Sequence, residues 1–400
     1  MISLQALENQ SRELAAQSGD LTVYDMRVDG EWLDGAPQRA RHAKHQTLLR
    51  SYQGRYVLLP DAAPRGSIVD DLMRRYEPRA MQALDALRAD LEDELIGPIL
   101  HRASATTTGE DARSYVEALL PKIRNGPPSL FLSYLDTSPH REHHYRHFLI
   151  QSSADLLAEA SASALGVIGE FGAPQSALFR ILIDEFGYGE HTKKHSQLFR
   201  RTLSGFGLNT EYNAYWPLWD TAALEVHNTI HCLFQSPRHF FKQVGFLLFA
   251  ETAYQHSTGE HFRYLKKHHT SVDGTYFGEH AHIDIHHTRM VVEDVIVPLV
   301  EKFGPEAGHE ILTGAEATRA VFAAGETHML ALAMAFDKAA ATGQASYGLQ
   351  PSIPSGAAVT PEAARTVAAQ FQVGGIGRIL DPSVFESFPA GSVGRMELQG

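Results

Sequence analysis

The sequence predicts an all-α protein: a helical bundle over 126–344, an N-terminal mixed and helical segment over 1–125, and an irregular tail over 345–400. Three observations predict it. From about 139 to 344 apolar residues recur at helical spacing, broken at Gly172-Ala173-Pro174, Gly205-Phe206-Gly207, Ser236-Pro237 and Gly304-Pro305. Asn125-Gly126-Pro127-Pro128 separates this stretch from what precedes it, and Asp136-Thr137-Ser138-Pro139 offers capping groups for a new helix. Beyond about 345 the periodicity is lost and Gly, Pro and Ser accumulate, so the tail is expected to wrap the bundle or stay mobile.

In order along the chain, residues 1–18 and roughly 66–97 have helical composition, with short extended pieces expected between them at LTVYDMRV and RYVLLP. Helices are expected near 139–164, 174–204, 216–234, 237–267, 274–302, 305–311 and 315–342. No internal repeat is present.

Composition narrows the function classes. Hydrophobic residues make up 44% and charged residues 20%, the balance of an ordinary soluble protein. A net charge of −12 argues against a nucleic-acid partner, which requires a basic face. Cys232 is the single cysteine, which excludes an internal disulfide, a thiolate zinc site and an iron–sulfur cluster, and fits a reducing cytoplasm. The first residues carry charges at short intervals without an apolar core, so no secretory signal is expected, and no run of 18 apolar residues suggests a membrane span. The unusual number is 22 histidines, an abundance that by itself generates accidental metal-like spacings.

One spacing stands out: His280-x3-Asp284-x2-His287. Residues four and seven apart share a helix face, so two imidazoles and a carboxylate project from one stripe, the ligand set of iron, manganese or zinc. Its ends lie about 10 Å apart along a straight helix, which suits two ions about 3.5–4 Å apart better than one. Three other segments offer partners. Glu185 and His195 are separated by about 15 Å on an ideal helix, but Gly187 and Gly189 between them permit a break that turns both to one cluster. Glu251 follows the apolar run Gly245 to Ala250, and a buried carboxylate there needs a metal, a partner or a proton. Glu159 stands among small residues that permit close helix packing. Four carboxylates neutralise two divalent ions.

The segment from Asp184-Glu185-Phe186-Gly187-Tyr188-Gly189 to His195, then Glu251, then His280-x3-Asp284-x2-His287, resembles the haem-oxygenase-like di-iron oxidases and oxygenases, also described as iron-containing redox enzymes, over roughly 139–342. The resemblance implies a seven-helix haem-oxygenase-like bundle holding two non-haem irons through Glu185, His195, Glu251, His280, Asp284 and His287. Glu159 matches an additional, more mobile carboxylate of some members. It further implies that two ferrous ions bind O2 between them as a bridging peroxide, with electrons from an external donor. The substrate would be a small amine, an amino-acid-like or a fatty-acid-like molecule. N-oxygenation ranks first, with desaturation and oxidative C–C cleavage as alternatives. A homodimer stays open. No cupin-like metal domain is evident towards the C-terminus.

Plainer roles are expected elsewhere. His282 and His286 lie off the stripe, and Glu190 and His191 read as exposed. Glu185 could instead pair with Lys193 or Lys194, and Glu251 could be a structural ion-pair partner. His227, His231, His256 and His261 can be satisfied by Glu225, Glu260 and carbonyls, and Arg141 to His147 reads as a solvated helix start. Phe240, Phe241, Phe246 and Phe249 line core or pocket. A ferritin-like bundle would need Glu-x-x-His from two helices, whereas Glu306/His309 sits at a helix start. A zinc or manganese hydrolase lacks its His-Glu-x-x-His. A metal-free scaffold of the same fold would have lost ligands, and the six main ones are all present. Because such a site must open, the 274–290 segment is expected to be locally distorted.

Overall fold

The computed structural model describes residues 36–59, 68–107, 111–125, 128–212, 215 and 219–341, and among them there is no strand. The expectations for 1–18, LTVYDMRV and the tail fall outside these residues. The helices are α1 (Ala36–Gln53), α2 (Ile68–Arg75), α3 (Pro78–Leu91), α4 (Gly97–Thr106), α5 (Ala112–Asn125), α6 (Leu130–Leu135), α7 (Arg141–Leu156) and α8 (Ser161–Gly166). They continue with α9 (Ala173–Glu185), α10 (His195–Gly205), α11 (Thr221–Gln235), α12 (Phe240–His268), α13 (Thr275–Met290), α14 (Val297–Phe303) and α15 (Pro305–Ala341).

Helix α1 lies where the sequence suggests short extended pieces, and RYVLLP is a turn followed by irregular chain through Leu59. The reason is that α1 buries polar groups beside a short apolar stripe. Leu48, Leu49 and Tyr52 are fully buried, and so is His45, whose carbonyl and Nδ1 meet the Asn228 amide at 2.8 and 3.1 Å.

Two expected helices are broken. The 139–164 reading splits into α7 and α8, with Ala160 at a left-handed φ of 64°. The 174–204 reading splits into α9 and α10 around the Gly-Tyr-Gly turn. Conversely, 305–311 and 315–342 are one helix, because Gly314 marks a close crossing rather than a break. A Cβ on Gly314 would run into the Lys242 backbone of α12, and one on Gly245 into the Ile311 backbone of α15.

Helix α13 is regular, contrary to the expected distortion, and the irregularity follows it as a wide π-helical turn, Val291–Ile296. A second such turn, Glu92–Ile96, joins α3 to α4. Each is followed by a proline at the second position of the next helix, Pro298 and Pro98. Proline lacks the N–H and crowds the carbonyl four residues back, which a wider turn relieves.

Two buried clusters make the core. One gathers Tyr145, Phe199, Trp219, Tyr264, Tyr276 and Phe277; the other gathers Leu48, Tyr52, Leu91, Leu248, Val291 and Ile311. Helix α13 thus has its first turn in one cluster, and the π turn that continues it lies in the other, with the His280-Asp284-His287 stripe in between. The Arg141 to His147 stretch is not a solvated helix start: His144, Tyr145 and His147 are buried. His144 is accommodated because Asp337 on α15 accepts from its Nε2 at 2.9 Å.

Candidate metal centre

The stripe on α13 points inward as its spacing requires: His280, Asp284 and His287 are buried, while His282 and His286 are exposed. Helix α9 ends at Glu185, and two short 3-10 turns carry the chain to His195 at the start of α10. Gly187, Tyr188 and Gly189 have φ of 66°, 55° and 80°, left-handed values that glycine adopts without steric cost. This reversal brings His195 Nδ1 to 2.7 Å from Glu185 Oε2. Lys193 pairs with Glu190 and Lys194 sits over the Phe186 ring, so neither lysine neutralises Glu185.

Two donor groups form around Glu185: Glu159, Glu185, His195 and His280 in one, and Glu185, Asp284 and His287 in the other. Glu185 is common to both. Its Oε2 faces His195, and its Oε1 lies 3.6 Å from His287 Nδ1. Glu251, on α12, brings Oε2 to 3.1 Å from that same Nδ1. Glu159, in the turn after α7, lies 3.2 Å from His280 Nε2 through Oε1. All seven residues singled out from the sequence therefore meet.

Four buried atoms in this small volume have no hydrogen-bond partner among the described residues: Glu159 Oε2, His195 Nδ1, His280 Nε2 and Asp284 Oδ2. His195 Nδ1 is close to Glu185 but at an angle unsuited to a hydrogen bond. Unpaired buried lone pairs are costly, and a cation that accepts them removes the cost. The chemistry of the set, imidazole and carboxylate alone, fits a divalent transition metal such as iron. A contrasting group, His140, His144 and Asp337, is complete in itself. Asp337 accepts from Tyr134 Oη, Ser138 Oγ, His140 Nδ1 and His144 Nε2 at 2.6–2.9 Å.

The electrostatics without metal show what the cations would replace. Burial alone would raise the Glu185 carboxyl, but His195, His280 and His287 outweigh it and hold it below the usual range. Burial, with Asp284 and Glu185 nearby, raises Glu251 despite His287. Burial disfavours the imidazolium forms of His280 and His287, yet the surrounding carboxylates raise both. The carboxylates that favour these imidazolium forms would equally favour a bound cation, and a metal taken up there would displace protons.

Three supporting residues have no role assigned from sequence. Asp184 Oδ2 accepts from His287 Nε2 at 3.1 Å, which turns Nδ1 towards the donor group. Tyr276 Oη donates to Glu159 Oε1 at 2.7 Å. It sits four residues before His280, so extending the stripe one turn would have found it. Asp155, one turn before Glu159, has its carboxyl raised to about 7 by burial and by Glu159. No local pattern distinguishes Asp155 or Asp184.

A cavity of 510 Å³ adjoins the centre, walled by Phe148, Phe249, Phe277 and Phe322 with Asp155, Tyr254 and Tyr276. A second space of 70 Å³ is bordered by Glu159, Glu185, Glu251 and His280, and it shares Asp155, Leu156, Ile230 and Tyr254 with the larger one.

Residues 146–323 match the family of iron-containing redox enzymes. A nitrosourea synthase of Streptomyces achromogenes subsp. streptozoticus is 33% identical over 291 residues, which cover 70% of this chain. The chain belongs to the iron-containing redox enzyme family. The aligned region is 60% of the nitrosourea synthase, so that protein is substantially longer than the part shared. The all-α bundle is the haem-oxygenase-like fold of these iron-containing redox enzymes. Among the described residues no helix is long and apolar enough to cross a membrane.

Proposed function

We propose that this chain is a non-haem di-iron enzyme that uses O2 to oxidise a small molecule, with N-oxygenation of an amine or amino-acid-like substrate as the leading reaction. The observation that carries the reading is Glu185, one buried carboxylate common to two donor groups. A single-metal site has no use for a second set of imidazole and carboxylate on the far side of the same carboxylate. Glu159, His195 and His280 would hold one iron with Glu185; Asp284, His287 and Glu251 would hold the other. When bound, two ferrous ions supply electrons for the reduction of O2, and an external donor restores them.

The chain's own residues bind, orient and exclude water. Asp184 fixes the His287 tautomer, and Tyr276 holds Glu159 at the end of the cavity. The buried ligands and the aromatic wall keep bulk water from the reacting pair. The 510 Å³ cavity is of the size that small-molecule sites occupy. A nitrosourea carries oxygen on nitrogen, and the name of the relative favours N-oxygenation over desaturation and C–C cleavage on that ground.

Anaerobic titration with Fe(II) followed by metal analysis tests the reading. Two irons per chain are expected, with a transient visible absorption on exposure to O2. Saturation at one iron, or none, would overturn it.

A further inference from the structure

We propose that Asp155 determines which molecules the 510 Å³ cavity accepts, by receiving the N–H groups of a basic nitrogen, an ammonium or guanidinium, at the end next to the metal ligands. The inference rests on the reading of that cavity as the substrate site of a di-iron enzyme, and it narrows the substrate class.

Asp155 borders both the cavity and the smaller space against Glu159, Glu185 and His280, so a group bound to it stands at the junction of the two. Among the described residues its carboxylate has neither a hydrogen bond nor an ion pair, and the charge acting on it is Glu159, of the same sign. The other carboxylates of the lining are engaged. Asp220 accepts from the Ala223 N–H at 2.8 Å and faces His328 at 3.3 Å, and Glu260 and Glu326 accept from Ser129 at 3.3 and 2.5 Å. The basic residues of the lining do not serve Asp155 either: Arg319 is paired with Glu316 at 2.8 Å, and Lys122 is exposed.

An unpaired carboxyl inside an aromatic cavity is a cost unless the ligand brings the partner. A cation with N–H donors fits that vacancy in charge and in hydrogen bonding. A fatty acid would place a second carboxylate beside Asp155 and Glu159, so like-charge repulsion excludes it from this end. The phenylalanine wall meanwhile suits an apolar body behind the head group.

Isothermal titration calorimetry of the full chain, loaded anaerobically with Fe(II), tests this with three probes of matched length: 1-hexylguanidinium, neutral 1-hexylurea and heptanoate. Hexylguanidinium is expected to bind at least tenfold more tightly than hexylurea. Asp155→Asn should bring the two within about threefold, and Asp155→Glu, which keeps the charge, should retain the preference. The preference in the unaltered chain needs no variant and stands even where a variant fails to fold. Tighter binding of heptanoate, no binding of hexylguanidinium, or an undiminished preference in a folded Asp155→Asn protein overturns the inference. Iron content separates the two readings. Both variants should bind two irons, and two irons without a cation preference rejects the role of Asp155 alone.

Discussion

Glu185 offers its two oxygens in different directions, Oε2 to His195 and Oε1 to His287, and His287 is fixed from behind. For His287 the fixing group is Asp184, which accepts a hydrogen bond from Nε2–H and leaves Nδ1 facing Glu251, Glu185 and Asp284 at 3.1, 3.6 and 3.6 Å. The imidazole therefore serves one donor group and not the other. His287→Ala should leave a folded bundle that binds one iron, held by Glu159, Glu185, His195 and His280. Metal analysis with circular dichroism checks this, and a folded variant that still holds two irons removes His287 from the ligand set.

At the scale of elements, the turn between α9 and α10 makes the site, since it converts a ten-residue separation into a 2.7 Å approach. Gly187 is its tightest point. A Cβ there would meet the Lys193 and Lys194 backbone, and the residue has φ of 66°. Gly187→Ala should therefore cost about 1–2 kcal/mol from the left-handed backbone alone, more from the clash, and it should lower iron capacity by parting Glu185 from His195. Urea denaturation and metal analysis read the two effects; a variant unchanged in both would show that the turn is not what positions the ligands. Legibility followed the same logic. The α13 stripe and the Gly-Tyr-Gly break were readable because periodicity and glycine leave marks in a single segment. Gly314 misled because a glycine that admits a crossing helix looks, locally, like one that ends its own. Helix α1 escaped because much of its buried face is polar and is satisfied by distant segments, through contacts such as Asn228 with His45 and Glu94 with Lys44. Asp155 and Asp184 carry no mark in their own segments, since what defines them is a cavity and a histidine on another helix.

For the molecule as a whole, the many histidines divide by environment, and the division sets how it responds to acid. Burial depresses His42, His147 and His227 to about 4 and His231 and His261 to about 3. Several are hydrogen-bonded within the packed interior, His227 to the Gln151 carbonyl at 3.0 Å, His231 to Tyr56 Oη at 3.0 Å and His261 to Tyr145 Oη at 3.1 Å. His195, His280, His287 and His328 are raised instead: burial opposes their charge, but neighbouring carboxylates outweigh it. A depressed imidazole contributes stability that is present above its unfolded value of 6.5 and is lost as pH falls through the folded value near 3–4. A raised one contributes stability that is present below 6.5 and lost as pH rises through its folded value. Below the unfolded value of 6.5 the raised groups already contribute their stability in full, while each depressed one costs up to about 1.4 kcal/mol per pH unit. Several acting together rival the whole stability of a domain. The urea midpoint of the metal-free chain should accordingly fall from pH 7 to 5, the depressed imidazoles outnumbering Asp155 and Glu251, whose raised carboxyls take up protons over the same range and oppose the fall. A midpoint that is level or rises over that range would mean that these imidazoles accept protons in the folded state, and that the packed interior around them admits water.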